Sequence, residues 1–179
     1  MSPRVVLVGP PGAGKSTVGR LLAERLGVAF RDTDDDIEAA TGMAIGDIFI
    51  EHGEVWFREV EAIQVARALD EHDGVLALGG GAVLDAGTRA RLGDEIVVLL
   101  DVSAANASRR VGLHKPRPVL VGSFRGRWAE LMRERRPLYA AVATVTVNTD
   151  DHDPADVVTT IMASLSAEGG GAVPAKEQQ

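Results

Sequence analysis

The residues Gly9-Pro10-Pro11-Gly12-Ala13-Gly14-Lys15-Ser16 match the pattern G-x-x-x-x-G-K-[ST], and Thr17 follows them. The run Val5-Val6-Leu7-Val8 before them reads as a buried strand, and Leu21, Leu22 and Leu26 after them mark an amphipathic helix. A strand, a glycine-rich turn and a helix in that order call for a β-α unit around them, which makes this the feature that most restricts the fold. Glycines let successive backbone N–H groups converge on phosphate oxygens. The helix beginning near Lys15 adds the positive end of its dipole. Lys15 is placed to reach the β- and γ-phosphates of a nucleoside triphosphate, and Ser16 to ligate Mg²⁺. Gly12, Ala13, Gly14, Lys15, Ser16 and Thr17 are therefore the candidate nucleotide-binding residues. A turn that binds nothing would leave the Lys-Ser pair unexplained.

The rest of the chain keeps the alternation. Candidate strands are Arg4–Val8, Val28–Arg31, Val75–Leu78, Ile96–Leu100 and Thr144–Val147, with helical patterns between them. That order predicts an α/β fold around a parallel sheet, with ligands bound beyond the carboxyl ends of strands, after residues 8, 31, 78 and 100. A chain of 179 residues predicts one domain, placed at 1–166. Residues 167–179, rich in Gly, Glu and Gln, have the composition of a disordered tail. The chain has no cysteine, which excludes disulfides and Cys-based metal sites and suits a reducing cytoplasm. No apolar run approaches the roughly 20 residues that span a bilayer, and the first strand leaves no room for a signal peptide. A net charge of −7 disfavours nucleic acid as a partner. The expectation is a cytoplasmic protein without nucleic-acid or membrane partners.

Beyond the second strand lies Asp32-Thr33-Asp34-Asp35-Asp36. Residues two apart in extended chain face the same way, so Asp32 and Asp34 are expected to enter the site together. One would hold the Mg²⁺ shell and the other accept a proton from a substrate hydroxyl. Asp35 and Asp36 suit the N-terminus of the next helix. In the helix expected over Glu54–Leu69, Trp56, Val60, Ile63 and Ala66 form an apolar stripe. Glu54, Phe57, Arg58 and Glu61 then fall on the other side, which spacing alone makes a solvated charged face with Arg58 and Glu61 paired at i, i+3. Phe57 is the one hint there of a pocket wall.

Gly79-Gly80-Gly81 follows the third strand and can bring backbone N–H groups close to a ligand. Asp101 reads as the approach to a helix capped by Ser103. Residues 112–126 form a basic, glycine-bounded interruption, read as a lid over about 112–124 or as a solvated loop. Arg117, stiffened between Pro116 and Pro118, is placed to swing onto a transferring phosphate. Arg133, Arg135 and Arg136 before Pro137 either complement a helix C-terminus or read a carboxylate, and composition does not choose. The four histidines have no ligand-type spacing and read as surface residues, His72 at a helix end.

Taken together these motifs resemble the shikimate kinase family, from about residue 4 to about residue 160. The matching pieces are G-P-P-G-A-G-K-S-T (9–17), D-T-D (32–34), F-R-E-V-E (57–61), G-G-G (79–81), R-P-V-L (117–120) and R-R-P-L-Y (135–139). The resemblance implies a three-layer P-loop kinase fold with a five-stranded parallel sheet and a mobile lid. It implies ATP-dependent phosphorylation of the shikimate 3-hydroxyl by a monomer, in chorismate and aromatic amino-acid biosynthesis, with Mg²⁺. Lys15 and the loop amides would hold ATP phosphates, and Ser16 the metal, with Asp32 in its outer shell. Asp34 would bind shikimate hydroxyls and help deprotonate the attacking one. Arg58 and Arg135 would bind the carboxylate, Arg136 standing at the variable position of R-x-P-L-Y. Phe57, Glu61, Gly79, Gly80 and Gly81 would complete the substrate site. Arg117 would descend with the lid, and Arg110 and Pro154 would neighbour the adenine. The alternatives are another small-molecule kinase, such as a gluconate kinase, and a nucleotide-binding switch without a small acceptor.

Overall fold

The computed structural model describes residues 2–111 and 124–168. The lid expected over 112–124, apart from residue 124, and Arg117 therefore lie outside the described residues. Strand β1, Val5–Val8, is buried at every position. Consecutive strand side chains point to opposite faces, so both faces of the sheet at β1 are covered. Each fully buried aliphatic side chain here is worth about 1.5–3 kcal/mol relative to exposure.

The phosphate loop leads from β1 into α1, Lys15–Leu26, whose N-cap Gly14 has φ 90°, a backbone region that glycine enters without cost. Leu22, not Leu21, is the buried leucine of that helix's middle. Next come β2 (Phe30–Asp32), α2 (Thr33–Thr41), α3 (Ile45–Glu51), α4 (Gly53–Glu71) and β3 (Val75–Ala77). A 3-10 turn at Ala82–Leu84 precedes α5 (Ala86–Leu92), β4 (Val97–Asp101) and α6 (Ala104–Val111). The described chain resumes in α7 (Phe124–Val142), β5 (Val145–Asn148) and α8 (Pro154–Glu168).

The sheet is five-stranded in the order β2-β3-β1-β4-β5, and every neighbouring pair is parallel. From β1 the chain runs to β2 and β3 on one side, then passes back to β4 and β5 on the other. The phosphate loop thus sits where the winding reverses, the place where such sheets bind ligands. Helix α1 packs on α8 on one side, and α4, α5 and α7 pack in series on the other, giving three layers. All five expected strands are present, with ends shifted by one or two residues. Among the described residues no helix is long and apolar enough to cross a membrane.

Several expectations need correction. The stripe assigned to α4 is not its inner face. Ile63 is 63% exposed, whereas Phe57 and Glu61 are buried. The reason is that α4 serves two cores. Its first half contributes Phe57, Trp56 and Val60 to a small cluster with Ile37 and Ile48, and its second half sends Val65, Ala68 and Leu69 into the main core. A single straight stripe cannot describe both. Helix α7 does not end before Pro137 but continues to Val142, so the arginines there do not complement a helix terminus. His72 is buried, not on the surface. It caps the end of α4, with Nε2 3.1 Å from the Val75 carbonyl oxygen. Ala167 and Glu168, assigned to the tail, belong to α8.

Candidate active site

The loop after β1 curls around the amine of Lys15, which donates to the carbonyls of Gly9 at 2.8 Å and Pro10 at 3.2 Å. One residue on, the Ser16 hydroxyl donates to Asp32 Oδ2 at 2.6 Å. Asp32 also caps α2, accepting from the Asp34 N–H at 3.0 Å. Asp34 is therefore in the first turn of a helix, not two positions along an extended strand. Extended-chain alternation does not apply at Asp34, because the acidic run itself nucleates the helix through the Asp32 cap. Asp32 and Asp34 nevertheless border the same cavity, since the strand end and the first helical turn both face the loop. Asp36 turns away and pairs with Arg31 at 2.8 Å.

That cavity, of about 510 Å³, is lined by Gly12 to Thr17, Asp32, Asp34, Arg110 and Pro154, among others. Arg110 closes one end. It donates to the Gly12 carbonyl at 3.3 Å, to the Thr149 hydroxyl at 2.9 Å and to the Thr149 carbonyl at 2.8 Å. It thereby ties the phosphate loop to the segment after β5. Thr149 and His152 also line the cavity; His152 is exposed, as expected of a surface histidine, while Thr149 has no signal in the motifs. The rule about strand carboxyl ends would have found them had it been applied after the fifth strand too.

Beyond Asp34 lies a second cluster, assembled from α2, α4, α7 and the triple glycine. Arg58 Nη1 reaches Glu61 Oε2 at 2.6 Å and Nη2 reaches Glu54 at 3.2 Å. The Arg58 guanidinium lies 5.1 Å from the centre of the Phe57 ring, so Phe57 acts as a floor for Arg58 from within the small core. Burial raises the Glu61 carboxyl above its ordinary value near 4.5, against the pull of Arg58 and with a push from Asp34. Arg135 is close enough to Glu61 to lower it. Arg135 is only 4% exposed and its Nε has no hydrogen-bond partner. Arg136, by contrast, is exposed and reaches Asp101 at 3.4 Å.

The glycines are dictated by these charges. A Cβ on Gly79 would lie 2.6 Å from Glu61 Oε1 and 2.8 Å from Asp34 Oδ1, and one on Gly81 only 2.1 Å from Arg58 Nη1. The turn is also pinned from both sides. Gly79 N–H donates to the buried Thr33 hydroxyl at 3.1 Å, and the Tyr139 hydroxyl donates to the Gly80 carbonyl. In the sequence Thr33 and Tyr139 stand out only as members of D-T-D and R-R-P-L-Y. Neither has a local signal, because each acts on backbone atoms that are distant in sequence. Ser103, as expected, caps α6, accepting from the Asn106 N–H at 3.3 Å.

Comparison with known proteins follows the same lines. The family model "Shikimate kinase" matches residues 11–166. A shikimate kinase of Frankia casuarinae is 56% identical over 171 residues, covering 95% of this chain and 76% of the relative. A solved shikimate kinase from Acinetobacter baumannii, in complex with shikimate, superposes with a TM-score of 0.89 at 38% identity, covering 94% of this chain and 95% of that one. A gluconokinase from Sinorhizobium meliloti, 20% identical with a TM-score of 0.57 and 94% coverage of both chains, shares the fold alone.

Proposed function

This chain belongs to the shikimate kinase family, and we propose that its two clusters divide the phosphorylation of shikimate between them. The reaction moves the γ-phosphoryl group of ATP to the 3-hydroxyl of shikimate, giving shikimate 3-phosphate and ADP. The observation that carries the assignment of substrate is Arg135. A buried guanidinium with an unpartnered Nε, near Arg58, is an arrangement completed by an anion. A carboxylate fits, because its two oxygens match the fork of an arginine.

Lys15 holds the phosphates and leaves the Gly9 and Pro10 carbonyls to do so. Asp34 accepts the hydroxyl proton, placed between the phosphate loop and the carboxylate pocket. Glu61 holds Arg58 at the angle the carboxylate needs. With the Gly79 N–H taken by Thr33 and the Gly80 carbonyl by Tyr139, the Gly80 N–H is the donor offered to a substrate oxygen. Arg110 and Pro154 border the adenine end, and Arg117 is assigned to the transferring phosphate on the resemblance alone.

Among the described residues no three acidic or histidine side chains gather as a metal site. Ser16 and Asp32 still suit Mg²⁺, which takes one or two protein oxygens and completes its shell with phosphates and water. When bound, the ion neutralises charge developing on the phosphates. We place the enzyme in the cytoplasm as a monomer, serving chorismate and aromatic amino-acid biosynthesis.

The test is ADP release, coupled to an optical readout, with shikimate, with gluconate and with no acceptor. Release that depends on shikimate supports the assignment. Equal release with gluconate moves the chain to the runner-up, and release indifferent to any acceptor makes it an ATPase.

A further inference from the structure

Tyr139 is the sole tyrosine of the chain, and no role on the substrate has been given to it. It is 1% exposed and stands one helical turn after Arg135 on the same face of α7. Its hydroxyl donates to the Gly80 carbonyl, 59 residues away in sequence. Arg135, one turn back on the helix, is near enough for its charge to act on the phenol. The peptide it holds, Gly80–Gly81, is the one against which the Arg58 guanidinium lies, too close for any Cβ at Gly81. One hydroxyl therefore sits between two arginines. Arg135 lies near it, and Arg58 lies beyond a single peptide plane.

We infer that Tyr139 is a positioning residue for shikimate, its hydroxyl fixing the spacing of Arg135, Arg58 and the Gly80–Gly81 peptide so that one carboxylate engages them together. This rests on the reading that Arg135 meets the substrate carboxylate. Without the hydroxyl the Gly80 carbonyl is left buried and unpaired. The peptide then rotates to find another donor, carrying the Gly81 surface with it. Arg58 loses its flat support, and Arg135 loses the oxygen that orients it. The phosphate loop meets this turn at Pro11 and the Gly9 carbonyl, which pack beside Gly80. The phenol can serve in this way over the whole physiological range. Burial pushes it up to about 12 despite the opposing Arg135 charge, so it stays a neutral donor.

The experiment compares Tyr139→Phe and Arg135→Ala with the unaltered enzyme, measuring KM for shikimate, KM for ATP, kcat and folded fraction. Tyr139→Phe keeps the ring and removes only the hydroxyl. The expected result is a rise of about five- to tenfold in KM for shikimate, with KM for ATP and kcat within about twofold. A purely structural role lowers the folded fraction and apparent kcat while leaving both KM values in place, and that result overturns the inference. If Arg135→Ala raises KM for shikimate and Tyr139→Phe does not, Tyr139 alone is misassigned. If Arg135→Ala has no effect on shikimate, the reading beneath the inference fails. Because the chain has one tyrosine, a measurement free of variants is available too. Full-length protein made with 3-fluorotyrosine carries one ¹⁹F resonance. It should move on adding shikimate without nucleotide and stay in place on adding ADP alone; a resonance indifferent to shikimate overturns the proposal.

Discussion

The two ends of the site are made of different materials. The nucleotide end is built from consecutive backbone: Gly9 to Ser16 supply amides and carbonyls in one loop between β1 and α1. The substrate end is built from side chains that α2, α4 and α7 bring to one glycine turn. Phosphates are alike in every nucleotide, so a rigid local cradle suffices for them. A particular small acid is recognised by the spacing of opposite charges, and a fold sets that spacing by converging distant elements. The difference predicts a division of labour. Damage at the nucleotide end should appear in kcat, and damage at the substrate end in KM for shikimate.

The largest expected effect tests the first half of that statement. Lys15→Ala removes the charge at the centre of the loop while glycines keep the loop's shape. Loss of electrostatic stabilisation of this kind costs on the order of a hundredfold or more in kcat. The melting temperature should change little, because the Lys15 amine donates to the Gly9 and Pro10 carbonyls of the loop itself. A variant that keeps half the original kcat would break the assignment.

Next in size is the carboxylate clamp. Arg135→Ala should lower kcat/KM for shikimate by roughly ten- to hundredfold, the cost of one charge-assisted contact. Arg136→Ala should change it by less than about twofold, since Arg136 is exposed and its partner Asp101 lies outside the cluster. The methyl ester of shikimate sharpens the comparison. It should be a poor substrate for the unaltered enzyme and lose little further in Arg135→Ala. An ester turned over as well as the acid would mean that the two arginines read something other than a carboxylate.

The same contrast explains what could be read from sequence. The phosphate loop was legible because its function is written in neighbouring letters between a strand and a helix. The five strands were legible because buried parallel strands are short apolar runs. The inner face of α4 was not. Glu61 looked like surface because a charge is normally left in water, and nothing local announces that Arg58, Arg135 and Asp34 surround it. Helix periodicity failed there because α4 straddles two cores. Thr33 and Tyr139 were illegible for another reason. A hydroxyl that binds a backbone atom 46 or 59 residues away leaves no pattern in the chain.

A smaller effect is expected from the glycine turn. In Gly81→Ala the new methyl would fall 2.1 Å from Arg58 Nη1. The obstacle is the far end of a flexible side chain, so the fold should survive while Arg58 swings aside. KM for shikimate should rise about fivefold to tenfold, as for a lost hydrogen-bonded contact, with KM for ATP unchanged. Equal rises in both constants would blur the boundary drawn between the two ends.

The smallest expected effect concerns the charge at the heart of the substrate end. Burial raises the Glu61 carboxyl above 4.5, with Arg58 opposing and Asp34 reinforcing. The unfolded chain therefore releases this proton at a lower pH than the native protein does. In the window between the two values the native state holds more protons, so stability falls as pH rises across it. The contribution is fully present below the unfolded value and is lost as pH passes the folded value. Other carboxylates titrate in the same range, but Glu61→Gln removes this step alone and keeps an acceptor for Arg58. The difference in unfolding free energy between the unaltered protein and Glu61→Gln, measured by urea titration from acid to neutral pH without ligand, should fall with rising pH above 4.5 and then level off. A difference that rises instead would mean that Arg58 outweighs burial and that Glu61 is held as a strong ion pair. A flat difference would mean that water and Arg58 together cancel the effect of burial, in which case Arg135 needs no anion and the comparison fails at its centre.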